Sequence, residues 1–198
     1  MSLVKIDPMK LPGPWADGYV LERQHTLSSE FLGHDSFGNP QFDTKRSELG
    51  DLVFRLKNRN DKSTVDSIAD TAIEFIKAWA PPIDLIVPIP PSRARAYQPV
   101  VEIAMAIGAR LRRPMSAACI RKVKETPELK DVFDYGQRIK LLDGALEADA
   151  GAVDGKDILL VDDLYRSGAT ATVVATALLA AGARSVHMLA MTKTRTRT

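Results

Sequence analysis

The chain has 198 residues, of which 45% are hydrophobic and 26% are charged, a composition typical of soluble globular proteins. This composition excludes a disordered or fibrous chain, and the length fits one domain with a small additional segment. The chain has 27 Lys and Arg residues against 25 Asp and Glu residues. A net charge of +2 excludes nucleic-acid binding over the whole surface, so any anion site must be local.

Several kinds of site and location are excluded by what the sequence lacks. The single cysteine, Cys119, cannot form an internal disulfide, and no His or Cys spacing suits zinc. The most apolar stretch, residues 169–183, is shorter than the ~20 residues of a membrane-spanning helix. Residues 1–10 lack the features of a signal peptide. We therefore expect a reduced, cytoplasmic protein that does not contact membranes.

The N-terminal part of the sequence predicts a cover segment followed by two helices. Residues 1–46 are rich in Pro, Gly and polar residues, with one extended run at residues 19–27. Apolar residues at helical spacing then predict a helix between Ser47 and Asn58 and another from Val65 to Ala80. We expect residues 1–46 to form the cover and residues 47–198 the main domain.

From residue 83 onward, short apolar runs alternate with helical patterns, which predicts an α/β domain with a parallel sheet. The charged, weakly periodic stretch at residues 124–143 predicts a mobile loop or short hairpin, and residues 192–198 a frayed basic tail. Strands are expected at residues 83–89, 119–123, 158–161 and 186–191, and helices from Pro99 to about residue 108 and over residues 169–181.

The strongest local signal is the sequence ILLVDDLYRSGAT at residues 158–170. A buried strand would deliver Asp162 and Asp163 to its carboxyl end, where ligands bind in open α/β sheets. The Ser-Gly-Ala-Thr turn that follows leads into a helix, whose backbone N–H groups and dipole can bind an anion. Because carboxylates accept hydrogen bonds from vicinal sugar hydroxyls, the whole pattern suits a ribose 5-phosphate.

Three other interpretations of this pattern compete with a sugar phosphate site. A Walker B strand also ends in acidic residues, but the chain has no Gly-x-x-x-x-Gly-Lys-Ser/Thr partner motif. A receiver-domain phosphorylation site would leave the Ser-Gly-Ala-Thr turn at residues 167–170 unexplained. An ordinary strand–turn–helix, whose acidic residues only cap backbone groups, stays open.

At these residues the chain resembles the type I phosphoribosyltransferases, whose hallmark is a hydrophobic strand, two acidic residues and a Thr/Ser-Gly-x-Thr loop. Residues 52–60, the sequence DLIVPIPPSR at 84–93 and residues 97–98 further resemble the ComF-like competence-protein branch. That branch usually opens with a cysteine-rich zinc module, which this chain lacks. The resemblance implies a type I phosphoribosyltransferase-like fold: a parallel central sheet flanked by helices, with a flexible hood and a small N-terminal cover.

The resemblance also implies a role for individual residues. Asp162 and Asp163 would bind the ribose 2′ and 3′ hydroxyls and orient Mg²⁺ through water, and with Arg93 they form the expected catalytic set. A hood beginning at residues 121–127 would close over the pyrophosphate, although a solvated charged surface remains the alternative for its cations and for Lys57. The expected substrate contacts are Tyr165, Arg166, Ser167, Gly168, Ala169 and Thr170 around the 5′-phosphate, Pro91 and Ser92 at the pyrophosphate, and Lys57, Lys122, Lys124 and Arg138.

The activity implied by the resemblance is Mg²⁺-dependent transfer of a phosphoribosyl group from phosphoribosyl pyrophosphate to an unidentified acceptor. Arg166 stands where 6-oxopurine enzymes carry a carboxylate, which disfavours hypoxanthine and guanine as acceptors. The alternative is a non-catalytic competence or regulatory protein that uses the pocket as a sensor; competence machinery and a homodimer are the protein partners left open. A third hypothesis, with less support, is DNA contact through residues 110–113 and the basic tail.

Overall fold

The computed structural model describes residues 3–91, 97–124 and 134–194. The strands are β1 (Met9–Lys10), β2 (Asp17–Glu22), β3 (Thr26–His34), β4 (Pro40–Arg46), β5 (Leu85–Pro88), β6 (Ile120–Lys122), β7 (Leu146–Ala148), β8 (Asp157–Tyr165) and β9 (Ser185–Lys193). The helices are α1 (Glu48–Arg59), α2 (Val65–Trp79), α3 (Pro99–Leu111), α4 (Tyr135–Leu142), α5 (Ala150–Val153) and α6 (Ala169–Ala180).

A five-stranded sheet with the order β1-β2-β9-β8-β5 forms the centre of the protein. All its neighbouring strands pair in parallel except the short edge strand β1. In β8, Leu160 packs in the core that includes α6, whereas Leu159 packs on the opposite face in the core with α1, α2 and α3. This double coverage explains the uninterrupted apolar run of β8 and confirms the predicted α/β sheet.

The N-terminal segment, which was expected to form a cover, also contributes a strand to the central sheet. Its β2 extends the central sheet by pairing with β9, and Val20 and Leu21 are fully buried on its two faces. The extended run expected at residues 19–27 is therefore divided between β2 and β3. Strands β3 and β4 form a separate two-stranded hairpin with two register shifts.

Two further predictions need correction. Residues 135–142 form α4 rather than a loop, because Asp134 caps the helix at the backbone N–H of Gln137 and Leu142 is buried. Residues 125–133, which include the end of the expected hood segment at residues 121–127, lie outside the described residues. The predicted tail is wrong at its start, because Thr192 is a fully buried part of β9.

The predicted role of Cys119 as a core residue is confirmed. Only 2% of the residue is exposed, and its thiol lies 3.4 Å from the carbonyl oxygen of Ser116. Burial raises the pKa of this thiol, which keeps it protonated. Within the described part of the chain, no helix has the length and apolar character needed to cross a membrane.

Helix α1 carries one of the candidate site residues, and its start is fixed by Ser47. The Ser47 hydroxyl accepts a hydrogen bond of 3.1 Å from the backbone N–H of Gly50, and Ser47 is buried. We expect Ser47→Ala to lower the free energy of unfolding by about 1 kcal/mol, because one helix N–H loses its acceptor. Urea denaturation tests this, with Ser36→Ala in the exposed hairpin tip as the control. Equal stability of the two variants would contradict the capping role.

Candidate functional site

The sequence had suggested that the acidic pair comes at the end of a strand. In the structure the pair lies inside β8. Asp162 pairs in register with Ala190 of β9, and Leu164 pairs with Thr192, so the strand continues past both carboxylates. Successive side chains of a strand point to opposite faces of the sheet. Asp163 accordingly contacts α1, while Asp162 lies on the other face, close enough to Tyr165 to affect its titration.

Lys57 of α1 forms an ion pair with Asp163. The Lys57 ammonium lies 3.0 Å from one oxygen of the carboxylate and 2.9 Å from the other. The side chain of Asp163 is 10% exposed and that of Lys57 is 32% exposed, so water screens this pair only partly. The structure thus places Lys57 at the expected site, with both oxygens of one carboxylate in contact with its ammonium group.

Asp162, unlike Asp163, lies in surroundings that disfavour its negative charge. Burial and the neighbouring charge of Asp163 raise the pKa of Asp162 to about 7, although Lys57 and two backbone N–H groups act against the shift. A second negative charge at this edge is therefore costly in the ligand-free protein. A ligand that brings hydroxyl donors or a cation to Asp162 would stabilise its ionised form.

A polar cluster beneath Asp163 was not predicted from the sequence. His25 Nδ1 lies 3.0 Å from the hydroxyl of Thr192, which in turn donates a hydrogen bond of 3.3 Å to the carbonyl oxygen of Asp163. Burial, followed by the charges of Arg46 and Lys57, lowers the pKa of His25 to about 4, so this ring is neutral at pH 7. No local spacing could have indicated the contact, because 167 residues separate His25 from Thr192.

The turn after β8, residues 167–169, is the predicted anion site and is called the cradle below. Gly168 immediately precedes α6 and has a φ of 81°, a left-handed conformation that other residues rarely adopt. A Cβ atom there would overlap the hydroxyl of Tyr165. The Ser167 hydroxyl accepts a 3.4 Å hydrogen bond from the N–H of Ala169. The first backbone N–H groups of α6 lie at this turn, which is the position that helix N-terminal phosphate sites use.

Two arginines add positive charge to this cradle. Arg138 is buried, and its Nη1 donates a 3.1 Å hydrogen bond to the Ser167 hydroxyl. Burial, together with the charge of Arg166, lowers the pKa of Arg138. Helix α4, which carries Arg138, is held against α6 by a 3.1 Å contact between the hydroxyls of Tyr135 and Thr172. Cations that repel one another beside a helix N-terminus favour the binding of an anion.

The expected pyrophosphate loop leaves the same edge of the sheet. The N–H of Ile89 donates a 2.8 Å hydrogen bond to the carbonyl oxygen of Val161, which places exposed Pro91 near the level of the acidic pair. Ser92 and Arg93, together with the neighbouring Arg95, lie outside the described residues.

The two hood lysines are less closely connected with the site. Lys122 is exposed on β6, and Lys124 is exposed with its ammonium beside Gly144. Within the described residues, no contact joins either lysine to the acidic pair or the cradle. Their expected roles therefore remain predictions.

A divalent metal at this edge of the sheet would find two carboxylates, those of Asp162 and Asp163, as protein ligands. Within residues 3–91, 97–124 and 134–194, no group of three or more His, Cys, Asp or Glu residues could hold a metal. Mg²⁺ in phosphate-transfer sites typically takes one or two carboxylates, several waters and the substrate phosphates. Asp162 and Asp163 fit that limited protein contribution.

One cation of the proposed DNA-binding group is already neutralised. Arg110 forms ion pairs of 2.7 Å with both Asp66 and Asp70 on α2. Its positive charge therefore stabilises the packing of α3 on α2 rather than being available to a phosphate backbone.

Comparison with known proteins identifies the fold. One similar structure is adenine phosphoribosyltransferase from Trypanosoma brucei in complex with AMP, pyrophosphate and ribose-5-phosphate. The match covers 95% of this chain and 86% of the Trypanosoma brucei chain, at 12% identity and a TM-score of 0.51. Glutamine phosphoribosylpyrophosphate amidotransferase from B. subtilis matches 75% at 18% identity and a TM-score of 0.50, and the match spans a third (33%) of that longer protein. No protein-family model and no curated protein sequence matches the chain. The chain has the type I phosphoribosyltransferase fold, as its motifs had suggested.

Proposed function

We propose that this protein is a Mg²⁺-dependent phosphoribosyltransferase that uses phosphoribosyl pyrophosphate and releases pyrophosphate. The observation that carries the proposal is the placement of an acidic pair and an anion cradle at the two ends of one short segment. Asp162 and Asp163 lie at the carboxyl edge of the sheet, and the left-handed turn at Gly168 opens the N-terminus of α6. One ribose 5-phosphate spans carboxylates and a phosphate cradle in this arrangement.

The binding mode follows from the chemistry of these groups. The 5′-phosphate accepts hydrogen bonds from the first turn of α6 and from Ser167, with Arg138 and Arg166 adding charge. The ribose hydroxyls donate to the two carboxylates. When bound, Mg²⁺ would be held by Asp162 and Asp163 through water and would offset the charge of the departing pyrophosphate.

The reaction itself needs little covalent chemistry from the protein. The bond between C1 of the ribose and the pyrophosphate oxygen breaks, its electron pair leaves with the pyrophosphate, and the acceptor forms the new bond at C1. Positioning of the sugar and stabilisation of the leaving charge supply the rate enhancement. Residues 90–93, whose described part ends at Pro91 near the level of the acidic pair, are the proposed binding segment for that leaving group.

The nature of a neighbour's ligands supports this assignment. The Trypanosoma brucei enzyme, which shares the fold over 95% of this chain, has ribose-5-phosphate and pyrophosphate bound. Those two molecules are the parts into which phosphoribosyl pyrophosphate divides. The acidic pair and the cradle of this chain have the chemistry that the sugar phosphate part requires.

Calorimetry and a turnover assay test the proposal together. Titration with phosphoribosyl pyrophosphate should show saturable binding that strengthens with Mg²⁺, and ribose 5-phosphate should bind more weakly. Incubation of the labelled compound with a panel of nucleobases should then release pyrophosphate with at least one of them. Absence of binding with Mg²⁺ would overturn the assignment of the site. Binding without turnover for every acceptor would overturn the transferase and favour a sensor.

A further inference from the structure

The ion pair between Lys57 and Asp163 bears on how a metal reaches the proposed site. The ammonium group contacts both carboxylate oxygens, at 3.0 and 2.9 Å, and so lies between them on this carboxylate. A divalent cation coordinated by the same oxygens would come close to the ammonium charge. Two cations at such a distance in a partly buried site repel each other strongly.

Helix α1 delivers this lysine from a fixed position. Leu56, directly before Lys57, is fully buried in the core beneath the sheet, as is Leu49 about two helical turns earlier. Near its start, α1 lies so close to the preceding segment that a Cβ atom at Gly50 would overlap the carbonyl oxygen of His25. Only the flexible side chain of Lys57, not its backbone, can therefore move away from Asp163.

Without the sugar diphosphate, Asp162 alone cannot replace Asp163 as a metal ligand. Asp162 points to the opposite face of the sheet, and no third acidic or histidine ligand joins the pair within the described residues. A lone carboxylate binds Mg²⁺ weakly, because this ion gives up its waters reluctantly. Metal binding at this edge thus depends on the outcome of a competition at Asp163.

We infer that Lys57 is a resident cation of the site, which occupies Asp163 in the ligand-free protein and excludes free divalent metal, so that the metal enters only together with the sugar diphosphate. This inference rests on the proposed function for its ligand. When the diphosphate binds, its negative charge offers the Lys57 ammonium an alternative to Asp163. Asp163 then becomes available to the sugar hydroxyls and to the water shell of the metal. Lys57 is in this sense a positioning residue that sets the order of binding.

Binding of Mn²⁺ alone, followed by the electron paramagnetic resonance signal of the free ion, tests the inference without any substrate. We expect weak binding to the natural protein and at least tenfold tighter binding to Lys57→Met. Lys57→Arg, which keeps the positive charge, should again bind Mn²⁺ weakly. The double variant Lys57→Met, Asp163→Asn should lose the higher Mn²⁺ affinity of Lys57→Met. Lys45→Met, at an exposed position of the hairpin, is the matched control for the loss of one positive charge.

The outcomes separate this inference from the proposed function. If natural protein and Lys57→Met bind Mn²⁺ equally, the inference is wrong, whatever the protein does with phosphoribosyl pyrophosphate. An ion pair that only ties α1 to β8 would change stability in Lys57→Met without changing Mn²⁺ affinity. If Mn²⁺ affinity rises as expected but the natural protein fails to bind phosphoribosyl pyrophosphate with Mg²⁺, the proposed function fails while the competition at Asp163 stands.

Discussion

In the double variant Asp162→Asn, Asp163→Asn, the affinity for phosphoribosyl pyrophosphate with Mg²⁺ should fall by at least about 100-fold. Each carboxylate would accept a hydrogen bond from a ribose hydroxyl, and a bond to a charged group contributes roughly 1.5–3 kcal/mol. Loss of two such bonds converts to about two to four factors of ten. Calorimetry with Mg²⁺ in excess measures the change.

The hairpin supplies a matched control for the charge that this variant loses. Glu30 of β3 and Asp43 of β4 are cross-strand partners, both exposed and outside the candidate site. The variant Glu30→Gln, Asp43→Asn removes the same two negative charges, and it should bind phosphoribosyl pyrophosphate as the natural protein does. An equal loss in both variants would show that net charge alone, rather than the strand end, governs binding.

The single change Asp162→Asn should also make stability depend less on pH. The pKa of Asp162 is raised in the folded protein to about 7, against an ordinary value of 3.8. Between these two values the folded state holds a proton that the unfolded state releases, so a rising pH weakens the natural protein. The amide, which does not titrate, avoids this cost.

Urea denaturation across pH measures that difference in stability. The advantage of Asp162→Asn over the natural protein should grow between pH 4 and about 7. It should then stay constant at higher pH. A difference in unfolding free energy that does not vary with pH would mean that Asp162 titrates normally. A higher unfolding free energy in Asp162→Asn, together with the lower affinity for phosphoribosyl pyrophosphate in the double variant, would indicate that this carboxylate serves ligand binding at the expense of stability.

The sequence predicts the part of the fold that depends on local pattern. The run of apolar residues in β8 marks a strand covered on both faces, and the turn glycine marks the start of α6. The extension of β8 through Asp162 and Asp163 could not be predicted in this way, because aspartate is uncommon in strands. Here the extension depends on hydrogen bonds to β9, which lies more than twenty residues further along the chain.

The surroundings of the acidic pair depend on contacts that are distant in sequence. Lys57 reaches Asp163 across 106 residues, and only the packing of α1 brings them together. The family pattern indicated Lys57, whereas no motif indicated His25, since its contact with Thr192 exists only in the folded chain. Helix α4 was missed for another reason. Its buried positions include Arg138, a charged residue that a hydrophobic pattern assigns to the surface.

Gly168→Val should abolish the binding of phosphoribosyl pyrophosphate and of inorganic phosphate together. The left-handed conformation at this position costs a residue with a side chain about 1–2 kcal/mol. In addition, the new Cβ would overlap the hydroxyl of Tyr165, so either this buried ring or the turn has to move. Movement of the turn displaces the N–H groups of α6 that form the cradle, and the phosphate loses its donors.

Gly38→Val is a close control for this substitution. Gly38 has a φ of 80°, nearly the 81° of Gly168, but it lies in the hairpin turn, where a Cβ would meet no atom within 4 Å. Both variants should lose similar stability from backbone strain, while only Gly168→Val should lose phosphate binding. Ser167→Ala keeps the test valid if Gly168→Val does not fold, because it removes the hydroxyl that contacts Arg138 and Ala169 without straining the backbone. Unchanged phosphate affinity in Ser167→Ala and in a folded Gly168→Val would place the anion site away from the turn before α6.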